Sequence, residues 1–309
     1  MMQNPFFKDL PSCSALSRSI DEQLFGTAPK TNFWLMVEYP VPFGEKALEE
    51  SNLPDPVKSH LAGLQKSIPA FRLLLIRRDK PETGKLIHVF AGVSAVNRPR
   101  LVEFDLADYE ELLSIDFSSL ASGVFDSSGK IRKEPLFLVC TNGKRDPCCA
   151  HWGSPVYQAM TKLAGDSVWQ TSHLGGHRFG ANVVCLPHGI YYGHMNPDQV
   201  ETLIDDYQNQ RLTPENYRGR TCYNPEVQAA EYYLMSQTSA FDINAFQLQN
   251  AQQISSNRWE ISFMSRLDGS EHRLYISAEQ SSFANYESCN TPNKRSTRLQ
   301  YRLQGWSKK

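Results

Sequence analysis

The sequence predicts an α/β fold in which one order of elements is used twice, followed by a smaller β-rich region. Each copy consists of a strand, a helix, a strand, a further strand or hairpin, and a helix, and the second copy begins about 100 residues after the first. Short apolar or alternating runs that end at turn residues indicate the strands, and apolar residues three and four positions apart indicate the helices. A second interpretation of the pattern is one larger α/β sheet whose local repeats only look alike.

An irregular and polar segment, residues 1–30, precedes the first copy, which covers residues 31–128. The segment holds an aromatic and basic patch at Pro5–Lys8 and a predicted short helix near Ser19–Leu24. The elements of the first copy are a strand at Phe33–Tyr39, a helix at Val57–Leu64, strands at Phe71–Arg77 and Leu86–Val93 with a turn at Asp79–Gly84 between them, and a short helix at Asp108–Ile115. This copy is predicted to supply no cofactor ligand.

The second copy covers residues 129–223 and begins with Leu136–Cys140, a nearly all-apolar run that is typical of a strand buried on both faces. The elements that follow are a helix at Ser154–Leu163, a strand at Ser167–Thr171, a hairpin of Ala181–Leu186 with Ile190–Tyr192, and a helix from Asn196 to about Tyr207. Asn196 and Pro197 give the last helix the capping residue and first-turn proline that such starts favour. The repeated order resembles the thioredoxin fold used twice.

The last part of the chain, residues 224–309, is predicted to be one helix and a small antiparallel β-rich appendage. The helix covers Val227–Met235. Alternating apolar and polar residues predict strands at Trp259–Met264, His272–Ile276 and Arg298–Leu303. We expect no chemistry in this region.

Composition and charge exclude several classes of function. The 309 residues include 32 Lys and Arg and 33 Asp and Glu, which gives a net charge of −1. Nucleic-acid and membrane-surface proteins normally carry a basic excess, so neither partner is expected. No apolar run approaches the roughly 18 residues of a membrane-spanning helix, and Met1–Leu10 lacks the basic and apolar parts of a secretory signal. The sequence therefore predicts a soluble, cytoplasmic protein.

The cysteines and histidines carry the strongest functional signal. Seven cysteines, an odd number, do not indicate a disulfide framework in a chain without a secretory signal. One segment reads CTNGKRDPCC from Cys140 to Cys149, and a later one reads HLGGHRFG and contains His173 and His177. The pattern is Cys-x8-Cys followed by His-x3-His. Two sulfur and two imidazole ligands suit zinc or the iron of an iron–sulfur cluster.

Local features favour a binding site at these four residues. Cys140 ends a buried strand and Cys149 is predicted in the loop that enters the next helix, so both thiols can converge at one end of the sheet. Gly175 and Gly176 disfavour a helical His-x3-His and suit a tight loop.

Three neighbouring residues are further candidates. Arg145 and Arg178 are candidates, by charge and adjacency, for tuning the bound group. The identity of the second cysteine ligand stays open, because Cys148 would give the spacing Cys-x7-Cys in place of Cys-x8-Cys. The other cysteines lie apart in the sequence and are predicted to be isolated: Cys13, Cys185, Cys222 and Cys289.

The spacing of these ligands resembles that of the thioredoxin-like 2Fe–2S ferredoxins, which use two pairs of cysteines. With histidines in place of the second cysteine pair, the chain resembles the sucrase/ferredoxin-like family, whose members carry a non-Rieske 2Fe–2S cluster with two histidine ligands. Gly193-His194 and Tyr217-Arg218-Gly219-Arg220 extend the resemblance. It covers roughly residues 130 to 222 with specific motifs and the N-terminal half more loosely.

The resemblance implies a role for each ligand. Cys140 and Cys149 would bind one iron, and His173 and His177 would bind the other. Cys149 is preferred to Cys148 because the paired cysteines of the family match the x8 spacing.

The implied function is one-electron transfer or redox sensing, coupled to protons through the coordinated imidazoles. A redox protein or a small-molecule reductant is the expected partner. The alternative is a structural zinc-binding interaction protein that uses the same four ligands. The family name also suggests a sucrose hydrolase, which needs two carboxylates flanking a sugar pocket, and no pair of acidic residues has such a context in the sequence. We therefore expect an electron-transfer protein rather than an enzyme.

Overall fold

The computed structural model describes residues 11–79, 86–125 and 129–309. The aromatic and basic patch predicted at Pro5–Lys8 lies outside these residues, as does most of the turn predicted at Asp79–Gly84. Within the described ranges, no helix is both long enough and apolar enough to cross a membrane.

The helices and strands of the described residues follow the predicted order closely. The helices are α1 (Cys13–Ser19), α2 (Asp55–Ser67), α3 (Phe117–Ala121), α4 (Pro147–Ala164), α5 (Val200–Gln208) and α6 (Pro225–Thr238). The strands of the first two thirds are β1 (Phe33–Glu38), β2 (Phe71–Arg77), β3 (Ile87–Val93), β4 (Arg100–Leu106), β5 (Lys130–Ile131), β6 (Leu136–Cys140), β7 (Val168–Thr171), β8 (Val183–Leu186), β9 (Ile190–Tyr192) and β10 (Tyr217–Arg220). Those of the C-terminal region are β11 (Phe246–Ser255), β12 (Arg258–Ser265), β13 (Glu271–Gln280), β14 (Asn285–Tyr286), β15 (Arg295–Ser296) and β16 (Leu299–Lys308).

The first ten strands form one sheet in the order β10-β9-β8-β6-β7-β2-β1-β3-β4-β5 among the described residues. In one half, β1 and β2 are parallel, β3 is antiparallel to β1, and β4 is antiparallel to β3. The other half repeats this pattern with β6, β7, β8 and β9. Antiparallel pairing of β2 with β7 joins the halves. The predicted α/β fold with a repeated thioredoxin-like order is confirmed, and both copies share one sheet.

The two faces of the sheet bury different cores. On one face each half packs against its own helix, Leu35 of β1 near α2 and Phe137 of β6 near α4. On the other face Trp34 and Leu138 belong to one core that contains residues of both halves. Successive residues of a strand point to opposite faces, which explains why β6 is apolar throughout.

Several elements differ from the prediction. The prediction of a helix near Ser19–Leu24 is wrong, because α1 ends at Ser19. It begins at Cys13, where the side chain of Ser12 accepts a hydrogen bond from the Ala15 amide and so caps the first turn. The helix predicted at Asp108–Ile115 is a 3₁₀-helix at Tyr109–Ser114. The structure also contains elements that were not predicted: α3, β4, β5, β10, β11, β14 and β15. β11 reads FQLQNAQQIS, and most of it is exposed, so it shows little of the apolar alternation on which strand prediction depends.

The C-terminal region forms its own antiparallel sheet in the order β11-β12-β13-β16. Leu234 of α6 packs against Phe263 and Ile276 on the inner face of this sheet. The predicted β-rich appendage is thereby confirmed.

β14 and β15 form a separate two-stranded ribbon. The chain after β14 places Cys289 next to Cys13 and Cys148. The prediction that Cys13 and Cys289 are isolated is therefore wrong, because tertiary packing brings together residues that are far apart in the sequence.

Candidate metal centre

The first pair of predicted ligands lies where β6 ends and α4 begins. Cys140 is the last residue of β6, and Cys149 lies in the first turn of α4. The prediction that Cys149 lies in a loop before a helix starting at Ser154 is wrong. Asp146 caps the helix earlier, since its side chain accepts a 2.9 Å hydrogen bond from the Cys148 amide, and a proline follows it in the first turn.

Close packing of α4 on β6 brings the two sulfurs together. A Cβ atom at Gly153 would lie 2.0 Å from the Cys140 carbonyl oxygen, so only glycine fits at this point of the helix. Cys140 and Cys149 are each 1% exposed. Both thiols are therefore removed from bulk water.

The predicted tight loop around the histidines lies between β7 and β8. Gly175 and Gly176 have φ angles of 93° and 71°, which residues with a side chain rarely adopt. His177 then begins a single turn of 3₁₀-helix. The loop, rather than one helix, therefore positions both imidazoles.

A buried arginine holds this loop in place. Arg218 donates hydrogen bonds to the Gly175 carbonyl at 3.3 Å and to the Asn182 side-chain oxygen at 2.6 Å. Asn182 in turn donates to the Gly176 carbonyl at 2.9 Å. Burial lowers the pKa of Arg218 to about 9, so the guanidinium stays charged at neutral pH.

The first half of the sheet fastens the same loop from the other side. The Ser172 amide donates to the Leu75 carbonyl at 2.8 Å, and the Ser172 hydroxyl accepts from the Leu75 amide at 3.1 Å. Arg72 of β2 donates to the Leu174 carbonyl at 3.2 Å. The half with no predicted ligand thus helps to position His173.

Three of the four predicted ligands meet at one place. Nδ1 of His173 lies 3.9 Å from the Cys140 sulfur and 3.8 Å from the Cys149 sulfur, and the three donor atoms lie within 4.8 Å of one another. The ring centroid of His177 is 4.8 Å from that of His173. Nδ1 of His177 is buried without a hydrogen-bond partner, and its Nε2 lies 3.9 Å from Oδ2 of Asp146.

Hydrogen bonds and burial give these groups different proton affinities. The hydrogen bond from Cys149, followed by the contact with His173, holds the pKa of Cys140 well below its usual value. The hydrogen bond to Cys140, followed by burial, raises the pKa of Cys149. Burial lowers the pKa of His177 against the attraction of Asp146. The site thus favours a thiolate and a neutral imidazole, the forms that bind metals.

These donors fit a metal centre such as a 2Fe–2S cluster. The buried and unpartnered Nδ1 of His177 is an electron-pair donor that no described protein group uses. Asp146 stands behind the other nitrogen of the same ring, as carboxylates commonly do behind metal-bound histidines.

The comparison with known families agrees with this arrangement. The family model described as sucrase/ferredoxin-like matches residues 24–219, more than half of the chain. The chain belongs to the sucrase/ferredoxin-like family.

Curated relatives match a smaller part of this family member. A protein of Clavispora lusitaniae named "Altered inheritance of mitochondria protein 32" is 25% identical over 144 residues, covering 40% of this chain and 52% of that protein. A protein of Meyerozyma guilliermondii with the same name is 30% identical over 97 residues, covering 28% of this chain and 34% of that protein. The chain thus spans about half or less of the length of these relatives.

A solved structure also resembles part of the chain. A variant of the thioredoxin-like 2Fe–2S ferredoxin from Aquifex aeolicus is 23% identical, with a TM-score of 0.21. The likeness covers 24% of this chain and 87% of that one.

The other predicted residues of this family member lie around the four predicted ligands. Cys148 follows Asp146 in the first turn of α4, but its sulfur contacts other cysteines instead of Cys140. Arg145 pairs with Glu45 at 3.3 Å, and the charge of Arg145 also lowers the pKa of His177. Arg178 pairs with Glu22 at 2.7 Å.

Sequence reasoning missed two residues that shape the site. Asp146 could have been found, because an aspartate before a proline is a common helix start. Asn182, which bonds to the loop at Gly176 and accepts from Arg218, carries no comparable signal in the sequence.

An open groove reaches one ligand from the first half of the sheet. It encloses about 350 Å³ and is lined by residues that include Glu45, Lys46, Arg145 and His173. His173 is therefore a ligand candidate that a second molecule could reach through this groove.

Proposed function

We propose that this chain holds a 2Fe–2S cluster through Cys140, Cys149, His173 and His177 and acts as a one-electron carrier or redox sensor. The observation that carries the proposal is the approach of His173 Nδ1 to both sulfurs, beside a buried and unpartnered Nδ1 of His177. Membership of the sucrase/ferredoxin-like family supports it.

The residues of the site would set its potential and its proton coupling. A bound 2Fe–2S cluster supplies one-electron chemistry. Two neutral imidazoles in place of two thiolates remove negative charge, which raises the reduction potential above that of an all-cysteine site. A histidine that ligates through Nδ1 keeps a proton on Nε2, and at His177 that proton faces Asp146. Uptake of an electron then favours retention of the proton.

A redox protein or a small-molecule reductant is the proposed partner, in the groove beside His173. The sulfurs of the site are buried, whereas His173 is partly exposed and lines the groove. The groove carries both signs of charge, with Glu45 beside Lys46 and Arg145. Close contact rather than long-range steering would therefore select the partner.

The cytoplasm is the compartment that the sequence predicts. The names of the curated relatives concern the inheritance of mitochondria. The proposed redox partner could therefore be a protein of the cytoplasm or of the mitochondria.

A structural zinc site is the second candidate, and one observation favours it. The donors of Cys140, Cys149 and His173 lie within 4.8 Å of one another, a spacing that a single ion can span. Colour separates the two candidates, since a 2Fe–2S protein is red-brown and bleaches on reduction, whereas a zinc protein is colourless.

Electron paramagnetic resonance of the chain, purified without air, tests the proposal. We expect no signal before dithionite and a rhombic signal after it, with an average g value below that of all-cysteine clusters and about two iron atoms per chain. Cys149→Ser should lose the signal, and Cys222→Ser, at a half-buried cysteine away from the site, should keep it. The absence of a signal both before and after dithionite, together with bound zinc that is lost in Cys149→Ser, would show that the four residues form a zinc site instead of a cluster site.

A further inference from the structure

Three cysteines meet at the start of α4, around Cys148. The sulfur of Cys148 lies 3.4 Å from that of Cys13 and 3.4 Å from that of Cys289, and the remaining edge, Cys289 to Cys13, is 3.5 Å. The three residues come from α1, from the first turn of α4 and from the chain after β14. Their sulfurs form a nearly equilateral triangle.

A carboxylate completes this group. Oδ1 of Asp146 lies 4.0 Å from the Cys13 sulfur, and the donor atoms of all four residues lie within 4.8 Å of one another. Asp146 is fully buried and fixed, since Oδ1 accepts from the Cys148 amide and Oδ2 accepts from the Cys289 amide, each at 2.9 Å. Its orientation is therefore set by the backbone of two of the three cysteine segments.

The triangle has the dimensions of a metal site rather than of a disulfide. A disulfide needs a sulfur–sulfur distance of about 2.05 Å and joins two sulfurs only, whereas the three edges here are equal within 0.1 Å. An ion about 2.3 Å from each sulfur would lie about 1 Å above their plane, as tetrahedral coordination requires. The fourth position then falls to an oxygen donor.

The surroundings suit thiolate ligands. The Cys13 amide donates a hydrogen bond of 3.3 Å to the Cys289 sulfur, and amide donors of this kind stabilise sulfur that carries negative charge. Tyr286 and Trp152 pack against the three cysteines. The Arg18 guanidinium lies 4.5 Å from the centre of the Trp152 ring. Cys289 is the partly exposed member, which leaves the ion a path of entry.

We propose that Cys13, Cys148, Cys289 and Asp146 form a zinc site separate from the candidate cluster site. Three thiols and one carboxylate bind Zn²⁺ and release the three thiol protons, so no oxidant or reductant is needed. Zinc is favoured because it prefers tetrahedral sulfur-rich sites of this kind.

The role of this site is to join distant segments of the chain. Cys13 and Cys289 are separated by 276 positions, and neither lies in the ten-stranded sheet. Bound zinc would fasten α1 and the ribbon of β14 and β15 to the start of α4. The site does not depend on the proposed electron-transfer function, because no residue is shared with the predicted cluster ligands.

Elemental analysis of the full chain, purified with reductant, tests the site. We expect about one zinc per chain in the unmodified protein and in the control Cys222→Ser. Cys289→Ser and Cys13→Ser should bind almost no zinc while they keep their iron content. If the proposed cluster is absent, circular dichroism replaces iron as the check that each variant is folded.

A second measurement removes any ambiguity about where the ion binds. In the Cys149→Ser background, Co²⁺ added to metal-free protein should produce thiolate-to-cobalt charge-transfer absorption, and Cys289→Ser in the same background should abolish it. Zinc content unchanged by both Cys13→Ser and Cys289→Ser, no zinc in the unmodified protein, or a disulfide among the three cysteines under reducing conditions would each overturn the proposal.

Discussion

The two groups of sulfur ligands lie on either side of the same helix start, yet they are built in opposite ways. The candidate cluster site takes its ligands from the span between Cys140 and His177, within one half of the sheet. The proposed zinc site takes its ligands from Cys13 to Cys289, almost the whole chain. The first therefore leaves a spacing pattern in the sequence, and the second leaves none.

Cys148 and Cys149 are adjacent in the sequence but belong to different groups, because both lie on a helix. Successive residues of an α-helix are about 100° apart around its axis, so Cys148 and Cys149 point to different neighbours. Cys149 contacts His173, and Cys148 contacts Cys13 and Cys289. The two adjacent cysteines therefore belong to different sites.

The largest expected effect is a change in metal content that differs between variants of Cys148 and Cys149. Cys149→Ser should remove most of the iron and leave zinc unchanged, and Cys148→Ser should do the reverse, because each thiol reaches only one group. Iron and zinc measured on the same preparations check this prediction. Loss of iron from Cys148→Ser alone would move the cluster ligand to Cys148 and break the comparison.

This division also shows how far the sequence could be used for prediction. β6, β7 and the Asn196 helix were predicted because apolar runs and a capping pair mark them locally. The residues proposed as cluster ligands stand out in the sequence for a similar reason, since they lie within one repeat at a recognisable spacing. Cys13 and Cys289 were not, because only the packing of α1 against the β14 ribbon brings them to Cys148.

The start of α4 could be predicted from the sequence only in part. Asp146 and the proline after it are a readable helix start, but Gly153 and Pro155 disfavour a helix over the same stretch. The structure resolves the conflict, because Gly153 allows the close contact with Cys140. A residue that opposes local helix formation is thus required by tertiary packing.

The next effect is on stability and concerns the proposed zinc site alone. With free zinc at about a thousand times its dissociation constant, binding contributes about 4 kcal/mol to the free energy of unfolding. A zinc chelator should therefore lower the melting temperature of the unmodified chain. Cys289→Ser should melt at the lower temperature with or without chelator. Equal responses of the two proteins would show that zinc does not fasten these segments.

A smaller effect is expected on the potential of the candidate cluster site. His173→Cys or His177→Cys replaces a neutral ligand by a thiolate, which should lower the midpoint potential by the order of 100 mV if the cluster assembles. The unmodified potential should fall as pH rises, by up to about 59 mV per pH unit, since reduction retains the imidazole proton. Each variant should show a weaker dependence.

Zinc supplies the control for these histidine variants, because neither histidine belongs to the zinc ligands. Their zinc content should match that of the unmodified chain. Potentials that are unchanged in both variants would show that His173 and His177 are not ligands.

The smallest effect belongs to Asp146, the residue that both groups share. Asn caps helices about as well as Asp, so Asp146→Asn should keep the start of α4 but remove the charge beside His177 and the proposed zinc. The Asn side chain still offers zinc a neutral oxygen, so zinc affinity should fall by only about tenfold, the low end of the range for groups that support metal ligands. The potential should rise slightly and depend less on pH. Competition titration and potentiometry check both. A change confined to zinc would mean that the 3.9 Å contact with His177 does not influence the redox site, and the two groups would then be independent despite their common helix.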